Sequence, residues 1–203
     1  MDQPHSLGDP GHPFTRADPS DDALFYAEER KVVHLEPGAI EALRAFYGRL
    51  LLPGDAVLDL MSSWRSHLPA GLGHVTGLGL NAAEMADNPQ LDEYVVHDLN
   101  RVPRLPFPDA SFDAVVCAVS VQYLVRAWDV FADVRRVVRA GGPLVVSFSN
   151  RCFPTKAVAI WLLGSDEEHV MLVRSYLEAA GYGEIHAEVP PSPDDPLFVV
   201  WGR

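Results

Sequence analysis

Cysteine is almost absent. Cys117 and Cys152 are the whole complement of a 203-residue chain, too few for a disulfide framework and without metal-ligand spacing. Basic residues are scarce too, 16 against 28 acids, for a formal charge of −12 and a pI near 4.9. That balance argues against any mechanism resting on phosphate neutralisation, and so against a nucleic-acid partner. No apolar run approaches the roughly 18 residues that a membrane-spanning helix needs. The start, Met1-Asp2-Gln3-Pro4-His5, lacks the basic residues and apolar stretch of a secretory leader. No internal repeat is found. With 48% hydrophobic and 22% charged residues the chain can build a core. The expectation is a cytoplasmic protein whose partner is a small molecule, with no membrane or nucleic-acid contact and an oligomeric state that the composition does not specify.

Residues 1–22 hold four prolines, two glycines and five aspartates against one arginine, without apolar periodicity. They read as a disordered acidic tail ahead of a single domain spanning 23–203. Residues 38–51 then place Ile40, Leu43, Phe46, Tyr47, Leu50 and Leu51 at helical spacing. Short apolar strands are expected at 56–60, 74–78, 94–96, 112–118 and 144–148. Helices are expected from Ala127 to about Arg139, over 155–163 and over 167–180, the last closed by Gly181. Two final strands, 185–189 and 197–201, are joined by a proline-rich loop with no helix. Continuous apolar runs imply strands covered on both faces. The fold expectation is therefore α/β, a doubly wound, mostly parallel sheet with an antiparallel strand at the C-terminus.

In such a sheet, ligands bind beyond the carboxyl ends of the strands. Ser62-Ser63-Trp64-Arg65-Ser66-His67 sets three hydroxyls, an indole, a guanidinium and an imidazole in one strand-end loop. Ser62 and Ser63 are candidates to hold a cofactor, Trp64 to hold a substrate and His67 to move a proton. The plainer alternative is that Ser63 or Ser66 caps a helix, Trp64 packs and Arg65 is solvated. Asn150, Arg151 and Lys156 bring donors that suit a substrate carboxylate or another anion, or they form a solvated loop before a helix begun by Pro154. Upstream lie Tyr26, Arg30, His34 and Glu36. His34, with an ordinary pKa near ~6.5, is a candidate general base, and Tyr26 is another if its pKa is lowered. Two potential ligands, His34 and Glu36, do not make a metal site, so no metal is expected.

The order of motifs resembles that of class I S-adenosylmethionine-dependent methyltransferases of the type 11-like kind. The resemblance is carried by Val57-Leu58-Asp59-Leu60, Val75-Thr76-Gly77-Leu78-Gly79-Leu80-Asn81, Asp98, the 105–116 stretch LPFPDASFDAVV, the turn after Val134-Arg135-Arg136, and the terminal Pro196-Leu197-Phe198-Val199-Val200. It covers roughly residues 40–203 and implies a seven-stranded sheet with S-adenosyl-L-methionine across its central strand ends. It implies that Asp59 orients the methionyl amino end and Asp98 accepts from the adenine amino group, with Gly79, Leu99 and Ala118 beside the cofactor. It also implies a lid from the 25–36 segment, with Arg30 facing substrate, and substrate-facing side chains at Gln122 and Tyr123. Each aspartate can alternatively cap a turn through backbone N–H groups.

Two departures stand out. Met61, Ser63 and Arg65 occupy positions where the family carries glycines, and Gly79 stands where it carries the ribose-binding acid. Asn81 is either a ribose ligand or a helix cap. The SSWxSH run is similar to loops in a branch of methyltransferase-like proteins and assigns no substrate. The implied function is methyl transfer to a small-molecule acceptor. The alternatives are a cofactor-binding cyclase or lyase, or a non-catalytic methyltransferase-like binding protein.

Overall fold

The computed structural model describes residues 11–193 and 195–203. Seven strands form one sheet: β1 (Ala56–Leu60), β2 (His74–Gly79), β3 (Glu93–Val96), β4 (Ala114–Ala118), β5 (Leu144–Phe148), β6 (Ile185–Glu188) and β7 (Phe198–Gly202). Their order is β3-β2-β1-β4-β5-β7-β6, parallel except for β7, which runs antiparallel to both its neighbours. The order reverses between β1 and β4, so a crevice opens above Asp59 and Ala118.

Side-chain alternation divides the core in two. On one face Val57, Val75, Val116, Val145 and Val199 meet Leu43, Phe46 and Tyr47 of helix α2 (Pro37–Leu50). On the other, Leu58, Leu60, Val115 and Val146 belong to one cluster with α4 (Ala127–Val137) and α6 (Asp166–Ala179). The remaining helices are short: α1 (Asp22–Phe25), α3 (Ala82–Ala86) and α5 (Ala159–Leu163). The β1-to-β2 and β3-to-β4 crossovers contain no helix. The expected elements all appear, and α5 differs most: it begins at Ala159 rather than 155.

The reason for that late start lies in the segment expected to be a loose tail. Residues 1–10 lie outside the described residues, but 11–22 are laid against the domain. The amides of Ala159 and Ile160 donate to the carbonyls of Thr15 and Pro13, each at 2.8 Å, and Arg16 bridges antiparallel to Val158. Phe14 is 5% exposed and joins the larger core cluster. Asp22 accepts both oxygens' hydrogen bonds from Arg16 Nη1, at 2.7 and 2.8 Å, and its carboxylate lies 3.3 Å from Lys156 Nζ. Lys156 is fully buried and also donates to the Ser20 carbonyl at 2.9 Å. A single apolar anchor and a buried charge cluster hold this segment; neither produces the periodicity by which packed segments are recognised.

Candidate functional site

A cleft of about 1160 Å³, its mouth included, opens above the carboxyl ends of β1, β2 and β4, roofed by the segment from Tyr26 to His34. Asp59 forms its floor. The carboxylate is 3% exposed, and its Oδ2 accepts hydrogen bonds from both Ser62 Oγ and Ser66 Oγ at 2.6 Å. Burial outweighs those two hydroxyls and pushes the Asp59 pKa up to about 6. Its other oxygen, Oδ1, has no hydrogen-bond donor among the described residues.

The loop that replaces the glycine-rich turn is tied down along its length. The Ser62 amide donates to Leu78 O at 2.8 Å, and Ser63 Oγ donates to Glu84 Oε2 at 2.5 Å. Asn88 Nδ2 donates to both Ser63 O and Ser66 Oγ at 2.8 Å. Trp64 Nε1 donates to Val32 O at 3.2 Å, which fastens the loop to the roof, and the Arg65 guanidinium stacks 4.1 Å from the Trp64 ring centre. Gly79 belongs to the same construction. A Cβ there would stand 2.2 Å from Ser62 O, so the loop occupies the space a side chain would need.

The backbone is strained around this cleft. Lys31, Met61, His67, Ala110 and Val119 are the non-glycine residues with positive φ among those described, and all but Ala110 line it. Val119, β-branched at φ +45, is the most unfavourable. Such strain persists only where surrounding contacts over-determine it, and it gathers at functional sites. Met61 sits at φ +60, so of the three missing glycines only this one has left a left-handed backbone behind. Met61→Gly should therefore raise unfolding stability by up to about 1 kcal/mol, unless the unfolded-state entropy of glycine offsets the relief; a urea titration measures it, and a loss above ~1 kcal/mol would show that packing of the Met61 side chain dominates.

The sequence-derived candidates divide clearly. Tyr26, Arg30, His34, Asp59, Ser62, Ser63 and Trp64 line the cleft, as do His67, Gly79, Asn81, Asp98, Leu99, Ala118 and Tyr123. Asn81 caps α3 through its Oδ1, which accepts from Glu84 N at 3.0 Å, while its Nδ2 holds Tyr26 O at 2.9 Å. Both amide ends are thus engaged in the fold. Asp98 uses Oδ1 to accept from the amides of Asn100 and Arg101, at 2.9 and 3.2 Å, and its Oδ2 has no donor among the described residues. Burial pushes the Tyr26 phenol far above the ordinary range, with Tyr123 and Asp22 adding to it, which is the opposite of the lowered pKa that a base role for Tyr26 needs. Burial, with Arg44 and Arg65, lowers His67 to about 4, and burial, with Arg151, lowers His34. Both imidazoles are therefore neutral at pH 7.

Four candidates fall outside the cleft lining. Gln122 is 1% exposed and turns its amide inward to donate to Val119 O at 2.9 Å. Arg151 pairs with Glu36 at 2.7 Å and with Asp195 at 2.9 Å, and Asn150 is exposed beside it. Lys156, grouped with them as an anion-binding donor, is instead buried under the N-terminal segment. These corrections share one cause: neighbours in sequence at a strand end diverge as soon as the chain turns. Glu84 and Asn100 were not among the candidates. Glu84 is 7% exposed and accepts from Arg30 N at 2.6 Å, binding roof to floor. Its position three residues after a capping Asn81 was the available signal. Asn100 bridges Asp22 Oδ2 at 2.8 Å and Tyr123 O at 2.9 Å, contacts that no local pattern announces.

Residues 63–146 match a family described as a methyltransferase domain. A 27-O-demethylrifamycin SV methyltransferase from Amycolatopsis mediterranei is 33% identical over 78 residues, 36% of this chain and 29% of that protein. The matched stretch thus spans under a third of the relative's length. An S-adenosylmethionine-dependent methyltransferase from Mesorhizobium loti superposes with a TM-score of 0.57 at 18% identity, covering 80% of this chain and 97% of the other. The [4+2]-cyclase SpnF superposes with a TM-score of 0.57 at 16% identity, covering 79% and 80% respectively. At these identities the structural likeness is one of fold. The chain is thus similar over residues 63–146 to a methyltransferase domain, and its seven-stranded sheet has the fold of the solved structures just named.

Proposed function

We propose that the chain binds S-adenosyl-L-methionine in this cleft and transfers its methyl group to a small-molecule acceptor. One observation carries the reading: the buried Asp59 at the sheet's switch point keeps a carboxylate oxygen with no protein donor, facing a ligand-sized space. That oxygen opens to the cleft, and an ammonium at that point would pair with it. Asp98, with its own open oxygen, suits an adenine amino group, while Leu99 and Ala118 supply apolar walls. Gly79 leaves the floor without a side chain. The residues present therefore fit a cationic nucleoside with an amino tail. When bound, that cofactor supplies an electrophilic methyl on a sulfonium. His34, neutral and lining the cleft, would take the acceptor's proton.

Isothermal titration with S-adenosylmethionine and S-adenosylhomocysteine tests the reading; binding of neither removes it. His34→Gln should lower kcat by about 10²-fold, at the low end of what a positioned base contributes, without weakening S-adenosylhomocysteine. An unchanged kcat would take the base role from His34.

The pH dependence has two opposite signs. Asp59 is pushed above its ordinary value, so its contribution to fold stability is fully present below about pH 4 and is lost as pH rises through about 6. Cofactor affinity should run the other way, falling below about pH 6 as the carboxylate protonates. Asp59→Asn should remove both trends; calorimetry and thermal melts between pH 4 and 8 check them.

A second reading keeps the cofactor but not the transfer, as in a cyclase or lyase. It is favoured by the two serine hydroxyls already spent on Asp59 Oδ2, a contact that a glycine-rich loop cannot make. Tight S-adenosylhomocysteine binding without label transfer from methyl-labelled cofactor, across a panel of acceptors, would select it. The SSWxSH loop then marks a separate branch of methyltransferase-like proteins, remodelled around Asp59.

A further inference from the structure

The roof side of the cleft carries a group of rings that the cofactor reading does not use. His34 stands edge-on to Phe153, centroids 4.6 Å apart at 82°, and Tyr123 lies more nearly parallel to Phe153 at 6.1 Å and 29°. Phe25 closes the group, 5.6 Å from Phe153 and 4.9 Å from Tyr26. Tyr123 is fixed because its hydroxyl oxygen accepts from Phe153 N at 2.8 Å. The His34 ring nitrogens have no hydrogen-bond partner among the described residues.

Every cation near these rings is committed. Arg30 lies 4.0 Å over the Phe25 ring and donates to Phe25 O at 2.8 Å. Lys31 pairs with Asp87 at 2.6 Å and Glu29 at 2.8 Å, and Arg65 donates to Trp64 O and Asp87 O. Lys156 is locked to Asp18 and Asp22. The open charges that remain in the cleft are the oxygens of Asp59 and Asp98. A carboxylate ligand would find no free partner and a negative field. A cationic ligand among the rings would find the Phe25 ring already covered, by Arg30 at 4.0 Å and Lys156 at 5.2 Å from its centroid.

We propose that this aromatic box binds a neutral, planar ring system bearing a hydroxyl, which stacks on Phe153 and Tyr123 and presents its O–H to His34. That this ligand is the methyl acceptor rests on the transfer reading above; the preference for a neutral ring is a property of the box. Rings stack face to face or edge to face at such spacings, and a neutral hydroxyl needs only the single acceptor that an uncharged imidazole provides.

The test uses the full chain without cofactor, titrated at pH 7 with 2-naphthol, 2-naphthoate and 2-naphthylmethylammonium. The naphthol should bind at least about tenfold more tightly than either ion, since no counter-charge is free for one and fixed cations already cover the ring that would hold the other. Phe153→Leu, which keeps apolar volume and loses the ring, should weaken the naphthol about fivefold while its thermal melt stays close to the parent's. Naphthoate binding as tightly as naphthol, or an unchanged affinity in Phe153→Leu, overturns the proposal. S-adenosylhomocysteine measured in parallel separates the two readings. A naphthol preference without S-adenosylhomocysteine binding keeps the box and removes the transfer. S-adenosylhomocysteine binding without a naphthol preference does the reverse.

Discussion

Asp22→Ala should cost the fold about 3–5 kcal/mol, the usual penalty for removing one partner of a buried charge pair. The carboxylate is 4% exposed, Lys156 is fully buried and the Arg16 side chain is 9% exposed, so removing Asp22 leaves two cations poorly matched where water does not reach. Asn100 Nδ2 loses an acceptor at the same time, and with it one tether between the roof and the β3-to-β4 loop. Deleting residues 1–22 should cost at least as much, because Phe14, Ser20 and the Asp18 partner of Lys156 go too. Lys156→Met in either background should recover much of the loss, since an apolar side chain of similar volume removes the stranded charge. Urea unfolding of the variants and the double variant measures it. A loss below ~1 kcal/mol in Asp22→Ala would mean that the cluster is solvated, and the N-terminal segment would then be the loose tail that its composition suggests.

Gly79→Asp should be nearly as damaging, and its direction is the informative part. The substitution supplies the acid that the methyltransferase family carries at the end of the second strand, so by family pattern it should tighten a ribose. By geometry it fails. The new Cβ would stand 2.2 Å from Ser62 O and 3.0 Å from Met85 Sδ. The first of these is backbone, held by the Ser62 amide's bond to Leu78 O, and cannot step aside cheaply. Overpacking costs about 1–3 kcal/mol, and a carboxylate buried without a donor adds about 1–3 kcal/mol more. Expelling the 61–66 loop would also free Asp59 of both serines. The expected result is a loss of several kcal/mol in unfolding free energy and weaker S-adenosylhomocysteine binding. Tighter binding at unchanged stability would show that the loop is mobile enough to yield, and that the family's ribose contact can be restored.

Much of the fold was legible because its signals are local. The apolar runs of β1, β4 and β5, the Asn81 cap and the Gly181 stop each depend on a few adjacent residues. Asp59 and Asp98 were legible as cleft-lining positions for the same reason, since each lies at the carboxyl end of a short apolar strand. Asn150, Arg151 and Gln122 were misread because a strand-end position says nothing about where a side chain turns. Arg151 found two carboxylates, Glu36 and Asp195, far away in sequence and close in space. The 11–22 segment was misread because a single phenylalanine and a buried ion cluster leave no period to detect.

The sequence by itself determined the strand and helix alternation, the acidic net charge, and the absence of glycines directly after β1. Those are consequences of residue type and short-range order, which need no partner to be expressed. Only the tertiary structure decided what the replaced loop does. Ser62 and Ser66 close on Asp59, Ser63 on Glu84, and Trp64 on the roof, so the missing glycines become a hydrogen-bonded floor instead of a gap. It also decided that Lys156 serves the fold and that the rings at 26, 34, 123 and 153 share one cleft. Apart from the two serine contacts to Asp59, three and seven positions away, these depend on pairings between residues about twenty or more positions apart. Such a pairing is set when the sheet's crossovers bring strand ends together, and no window of local sequence contains both partners.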